Sequence, residues 1–208
     1  MTTTIRFATA TDAPAIAAIY APIVSDTTIS FELVPPDADT MADRIRAGGR
    51  LHPWLVAATP GTGTLAGFAS AGPFRGRPAY RWCVETSVYV DPAWRGQGVA
   101  RTLYGTLLRM LAAQGYRRAV AGIALPNDAS VAFHRRLGFA SAGVSPAVGW
   151  KHDRWIDMSW WQRDPGAAKL EAPQAPDVGP PAGDPRPATD EDLREACSSR
   201  GPRVTCDA

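Results

Sequence analysis

The sequence predicts a mixed α/β domain, a central sheet flanked by helices, with a separate C-terminal tail. Three observations carry this expectation. Runs rich in β-formers alternate with helical periodicity from Ile5 to Arg163. The most regular helical stretch, "GVARTLYGTLLRMLAAQG", follows the longest β-rich run, "YRWCVETSVYV", after a short loop. Past Asp164 the bulky apolar residues nearly vanish, and Pro, Gly and Ala dominate. Such a segment buries too little apolar surface to offset its ordering entropy. The chain therefore divides into a domain over residues 1–164 and an expected disordered, dispensable tail over residues 165–208.

"TIRFATA" reads as the first strand. "TDAPAIAAIYAPIV" reads as a helix capped by Thr11 or Asp12, with Pro14 in its first turn. "DADTMADRIRAGG" reads as a second helix that stops at Gly48. "PWLVAATP" and "GTLAGFASAGPF" form an expected hairpin that turns at Gly61-Thr62-Gly63. "YRWCVETSVYV" is a long strand, stopped by Asp91-Pro92. In the helix after it, Val99, Leu103, Leu107 and Leu111 form one stripe, and Gly115 ends it. "AVAGIAL" is a strand closed by Pro126, and "NDASVAFHRRLGF" a short helix between Asn127 as cap and Gly138 as stop. "RWIDMSWWQR" is the last expected strand. Within the tail only "TDEDLREA" holds helical promise, with Thr189 as cap and Asp192 three residues on.

A length of 208 residues with 45% hydrophobic content fits one domain with a real core. The net charge of +2, with no long run of either sign, gives no support to a nucleic-acid or membrane role. The N-terminus has no signal-peptide pattern, and no apolar run could span a bilayer. Cys83, Cys197 and Cys206 make neither a metal spacing nor an obvious disulfide framework, and His52, His134 and His152 are scattered. No metal and a reducing cytoplasm are expected.

The stretch "WRGQGVARTLY" concentrates unusual chemistry. Glycine is placed where backbone must bend or come close to something. A helix start offers free N–H groups and a partial positive charge, and Arg95 and Arg101 add full charges beside it. The combination suits a phosphate or pyrophosphate.

The order strand, Arg-x-x-Gly-x-Ala, long helix, strand, then Asn-x-x-Ser and Leu-Gly-Phe resembles the GNAT N-acetyltransferase superfamily. "GPFRGRPAYRWCVETSVYV", "AVAGIALPNDASVAFHRRLGF" and "VGWKHDRWIDMSWWQRD" together resemble its phosphinothricin and methionine sulfoximine N-acetyltransferase family. The resemblance implies the GNAT fold, acetyl-CoA as co-substrate and transfer of acetyl to the α-amino group of a glutamate-like amino acid. It implies that Arg95, Gly96, Gln97, Gly98, Val99, Ala100 and Arg101 wrap the pyrophosphate. Val88, Tyr89 and Val90 would pair with the pantetheine arm, and Asn127 would touch the same molecule. A homodimer is also implied. The Pro-rich tail lies outside the family pattern.

Acetyl transfer needs a free amine, so a proton acceptor is required, and Glu85 or His134 could serve. Glu85 sits in an apolar strand near Thr86 and Ser87, at a matching substrate position; it also reads as an ion-paired strand-end carboxylate. His134 stands where the superfamily usually has a tyrosine, and imidazole can both take and return a proton. It also reads as a capped histidine in a polar pocket, and Tyr104 reads as a core aromatic. Arg75 and Arg77, around Gly76, have the spacing to present two guanidiniums to acidic groups, or form a solvated basic turn. Phe31 in "ISFE" is an expected pocket wall. Two other functions share these features. Acetylation of another amine or a protein N-terminus would need a wider groove. A non-catalytic acyl-CoA sensor would need neither Glu85 nor His134.

Overall fold

The computed structural model describes residues 3–166, 183–198 and 204–206. Its centre is one mixed eight-stranded sheet in the order β6-β7-β5-β4-β3-β2-β1-β8. The strands are β1 (Thr3–Phe7), β2 (Trp54–Ala58), β3 (Leu65–Pro73), β4 (Cys83–Val90), β5 (Arg118–Ala124), β6 (Ala140–Lys151), β7 (Arg154–Arg163) and β8 (Val204–Cys206). The helices are α1 (Ala13–Asp26), α2 (Ala38–Gly48), α3 (Val99–Gln114), α4 (Asp128–Arg136) and α5 (Asp190–Ser198). Only β4–β5 and β1–β8 pair in parallel; the other neighbours are antiparallel.

The sheet is covered on both faces, which explains why β2 reads as an almost continuous apolar run. Leu55 and Ala57 enter a core with Leu103, Leu107 and Leu111 of α3. Val56 and Ala58 enter a second core with Ile16, Ile19 and Ile23 of α1 and Met41 and Ile45 of α2. The stripe Val99, Leu103, Leu107 and Leu111 is buried as its spacing predicts. Gly115 stops α3 in the left-handed region, at φ +95°. Asp37 caps α2 by accepting from Thr40 N at 2.8 Å, and Asn127 caps α4 by accepting from Ser130 N at 3.1 Å.

Three expectations need correction. The sequence reading assigns no strand between α4 and β7, yet β6 runs there for 12 residues. Its Gly143, Pro146 and Gly149 mask the strand pattern, and two register irregularities absorb them. An edge strand tolerates both, because one side of it owes no hydrogen bonds.

The second correction concerns the tail. Residues 167–182 lie outside the described residues, but 183–198 fold back onto the domain. Ala188, Leu193, Ala196 and Cys197 join the α3 core. Few apolar groups suffice, because α3 supplies a surface already organised to receive them. Thr189 and Asp192 form the expected reciprocal cap, with Thr189 N to Asp192 Oδ2 at 2.7 Å and Asp192 N to Thr189 Oγ1 at 3.1 Å. Arg186 clamps the same carboxylate at 2.7 and 2.8 Å. Cys197 is disulfide-bonded, against the expectation of no framework, whereas Cys83 is free. Backbone of β8 pairs beside β1.

Candidate active site

The site originates in a departure from regular strand pairing. β4 and β5 pair only from Cys83–Arg118 to Glu85–Val120. Beyond that point both strands continue, but they part. Thr86 to Val90 and Ala121 to Ala124 then face each other across a cavity of about 500 Å³. Its other walls are Ile19, Ile23, Asp26, Thr27 and Ile29 from α1 and the loop after it, and Asn127, Ser130, Phe133 and His134 from the α4 region.

A second cavity of about 590 Å³ shares Val90, Arg95, Ala100 and Phe133 with the first. It is built around the start of α3, from Trp94, Gly96, Gly98, Val99, Arg101 and Arg136. Gly96 (φ +74°) and Gly98 (φ +84°) take left-handed conformations, and a Cβ at either would meet nothing within 4 Å. Backbone conformation, rather than space, is what requires glycine there. Gly98 is the helix cap and has no side chain to satisfy the first N–H groups of α3. Those donors, the helix dipole and three arginines are the chemistry that suits an anion, as the sequence leads one to expect. Gly98→Val is therefore expected to weaken acetyl-CoA binding at least about tenfold in a folded protein, by straining the loop and covering the donors. Calorimetry checks this; unchanged affinity would remove the loop from the phosphate site.

The sequence-predicted cofactor residues are brought together with one exception. Val88, Tyr89, Val90, Arg95, Ala100 and Asn127 line the first cavity, and Gly96, Gly98, Val99 and Arg101 the second. Gln97 lines neither; its amide donates back to Ala93 O at 3.0 Å. The sequence reading missed Trp94, Phe133 and Arg136, whose signal was position on α4 and beside the glycine loop.

His134 is buried. Its Nδ1 lies 2.8 Å from Ser130 O, a pure acceptor, so Nδ1 carries the proton. Nε2 then holds the lone pair, and it faces Tyr104 Oη at 3.3 Å. Tyr104 Oη is 2.6 Å from Thr86 Oγ1, which itself donates to Val120 O at 3.1 Å. Burial lowers the His134 pKa from its ordinary value, opposed by the Ser130 hydrogen bond. Tyr104 is the buried aromatic expected, but it also joins His134 to the cavity-lining Thr86.

Of the predicted substrate residues, Thr86 and Ser87 line the first cavity, while Phe31, Arg75, Gly76, Arg77 and Glu85 do not. Glu85 occupies the last β4–β5 pair. Burial raises its pKa, and the charge of Arg75 opposes the shift. The Arg75 guanidinium lies 4.7 Å from the Phe74 ring centre and 5.9 Å from that of Trp160. Trp160 in turn backs Gly122 of the cavity wall, where a Cβ would come within 3.3 Å of its ring. Arg75, Gly76 and Arg77 are exposed. Phe31 packs on Gly149 of β6, where a Cβ would come within 2.4 Å of the ring. Among the described residues no cluster of three or more His, Cys, Asp or Glu side chains could hold a metal. No described helix is long and apolar enough to cross a membrane.

Residues 21–139 match the Acetyltransferase (GNAT) family. The fold and this match are those of an acyltransferase. The chain belongs to the GNAT acetyltransferase family. It is 40% identical over 172 residues to a phosphinothricin N-acetyltransferase of Streptomyces viridochromogenes, covering 83% of this chain and 91% of that protein. It is 37% identical to an L-methionine sulfoximine/L-methionine sulfone acetyltransferase of Pseudomonas paraeruginosa, over 78% of this chain and 94% of that one. The crystal structure of a phosphinothricin acetyltransferase from Sinorhizobium meliloti in complex with AcCoA superposes with a TM-score of 0.74. That match has 38% identity and covers 79% of this chain and 89% of the other.

Proposed function

We propose that this acyltransferase moves acetyl from acetyl-CoA to the α-amino group of a glutamate-like amino acid, such as phosphinothricin, methionine sulfoximine or methionine sulfone. The observation that carries the reading is the continuity of the two cavities, from the arginine-flanked start of α3 to His134. The residues present fit acetyl-CoA. Arg95 to Arg101 would hold the pyrophosphate, and the β4 edge from Val88 to Val90 would hold the pantetheine arm beside Asn127. When bound, acetyl-CoA supplies an activated acetyl group as a thioester.

His134 is the proton acceptor in this reading. In its neutral form the single Tyr104 proton is contested by Thr86 Oγ1 and His134 Nε2. Once Nε2 gains a proton, it donates to Tyr104 Oη, Tyr104 donates to Thr86, and Thr86 donates to Val120 O. These hydrogen bonds offset part of the burial that lowers the His134 pKa, without reversing it. In this reading the proton of the amine enters on the side of the first cavity where His134 and Thr86 both line the wall. Glu85, with the charge of Arg75 acting on it, and the exposed Arg77 would serve the acceptor from outside the cavity lining. A homodimer completes the reading; the exposed Val144, Val148, Trp150 and Trp155 support the dimer.

A thiol-release assay with acetyl-CoA tests the function against the three amino acids and a small peptide panel. Turnover of peptides alone would overturn it. Replacing Arg75 and Arg77 together by Ala is expected to raise the amino-acid KM about tenfold while the acetyl-CoA KM stays nearly constant. Equal changes in both would place the acceptor elsewhere.

A further inference from the structure

Lys151, at the end of β6, is a buried lysine outside the cavity. Its ammonium donates to three backbone carbonyls: Val24 O at 2.6 Å, Ser30 O at 2.7 Å and Glu32 O at 2.8 Å. Three N–H donors meet three acceptors, which fully satisfies the ammonium. Val24 lies in the last turn of α1, where carbonyls lack helical partners and a cation is favoured. Ser30 and Glu32 flank Phe31.

The same segment is held from its other side. Tyr20 Oη lies 2.6 Å from Ser30 Oγ and donates to Glu32 Oε1 at 3.0 Å. Arg44 of α2 grips the Glu32 carboxylate at 2.8 and 2.9 Å. These bonds tie the segment to α1 and α2, but Lys151 ties it to the β6–β7 hairpin. The Phe31 ring rests on the same hairpin at Gly149. Just before it in sequence, Asp26, Thr27 and Ile29 form a wall of the first cavity.

We propose that Lys151 is a positioning residue for the acceptor amino acid: its ammonium holds the Ser30–Glu32 backbone, and with it Phe31 and the adjoining cavity wall, against the β6–β7 hairpin. The inference rests on the acceptor reading given above. It assigns the charge of Lys151 to shaping a wall, not to touching substrate. The carbonyls of Val24, Ser30 and Glu32 converge on the ammonium, and without it these buried acceptors would lose their shared donor.

Two readouts on Lys151→Met test this. The first needs no substrate: hydrogen exchange of the amides from residues 27 to 34 should quicken at least about tenfold, while those at the start of α3 stay unchanged. The second is kinetic: the amino-acid KM should rise at least about tenfold, with the acetyl-CoA KM changed less than about twofold. Lys151→Arg keeps a buried cation and is expected to show the same split to a smaller degree; it is the variant to read if Lys151→Met does not fold. Unchanged exchange in the segment overturns the proposal, as does an equal change in both KM values. If the unmodified enzyme acetylates none of the three amino acids, the acceptor reading fails by itself, and the exchange experiment still decides whether Lys151 holds the segment.

Discussion

His134→Ala is expected to lower kcat by about 10²–10⁴, with little change in the KM for acetyl-CoA. The side chain is a buried neutral base whose proton position is fixed by Ser130 O and whose lone pair is aimed at Tyr104. Its pKa lies below the ordinary value of about 6.5, so at neutral pH it is already free to accept a proton. Activity should therefore fall on the acid side as pH drops through that lowered pKa, and the variant should lose this limb. Tyr104→Phe gives a finer test. It removes the acceptor for a proton on Nε2, so the imidazolium is less stabilised and the acid limb should move to still lower pH. A His134→Ala enzyme with near-normal kcat and an unchanged pH profile would transfer the base role to Glu85.

The second large effect is on stability. Leu193→Ala is expected to cost roughly 2–5 kcal/mol and to lower Tm by roughly 5–15 °C, because Leu193 is fully buried against α3. Removing residues 183–208 should cost at least as much, since it also strips Ala188, Ala196 and Cys197 from the core. Arg186 holds the Asp192 carboxyl well below the usual carboxylate range. A depressed carboxylate stabilises the fold above its unfolded pKa of about 3.9, and that contribution is lost as pH falls through the folded value. The intact protein should thus give up part of its advantage over the truncated one in strong acid. Calorimetric melting of the two forms, at neutral pH and near pH 3, checks both statements. Coincident melting curves would mean that the segment does not brace the domain.

Much of this was legible in the chain itself, for physical reasons that differ by element. β7 occupies the same residues as the run "RWIDMSWWQR", because a stretch of β-branched and aromatic residues between two turns leaves the backbone little choice. The glycine and arginine loop announced its chemistry, because positive φ and free helix donors are local properties. The cap at Thr189 was legible for the same reason, but not what α5 rests on. That depends on α3, about eighty residues earlier in the chain. Phe31, Arg75 and Glu85 were grouped into one pocket from sequence. Their actual placement around the cavity depends on which hairpin each segment packs against, and no spacing reveals that. The bond between Tyr104 and His134 was hidden likewise, since a buried tyrosine and a core aromatic look the same until the polar tip has a neighbour.

The parting of β4 from β5 also divides the sheet mechanically. The half from β8 to β4 leads into the glycine loop and α3; the half from β5 to β6 leads into α4 with His134, and into Lys151. A seam of three residue pairs joins them, and Glu85 stands at its open end. Beyond it the two strands run on unpaired along the cavity, so a small tilt at buried Val84 or Ala119 is expected to grow toward their ends. Conservative changes at Val84 or Ala119 are consequently expected to be felt in turnover before they are felt in melting temperature, although neither residue lines either of the two cavities.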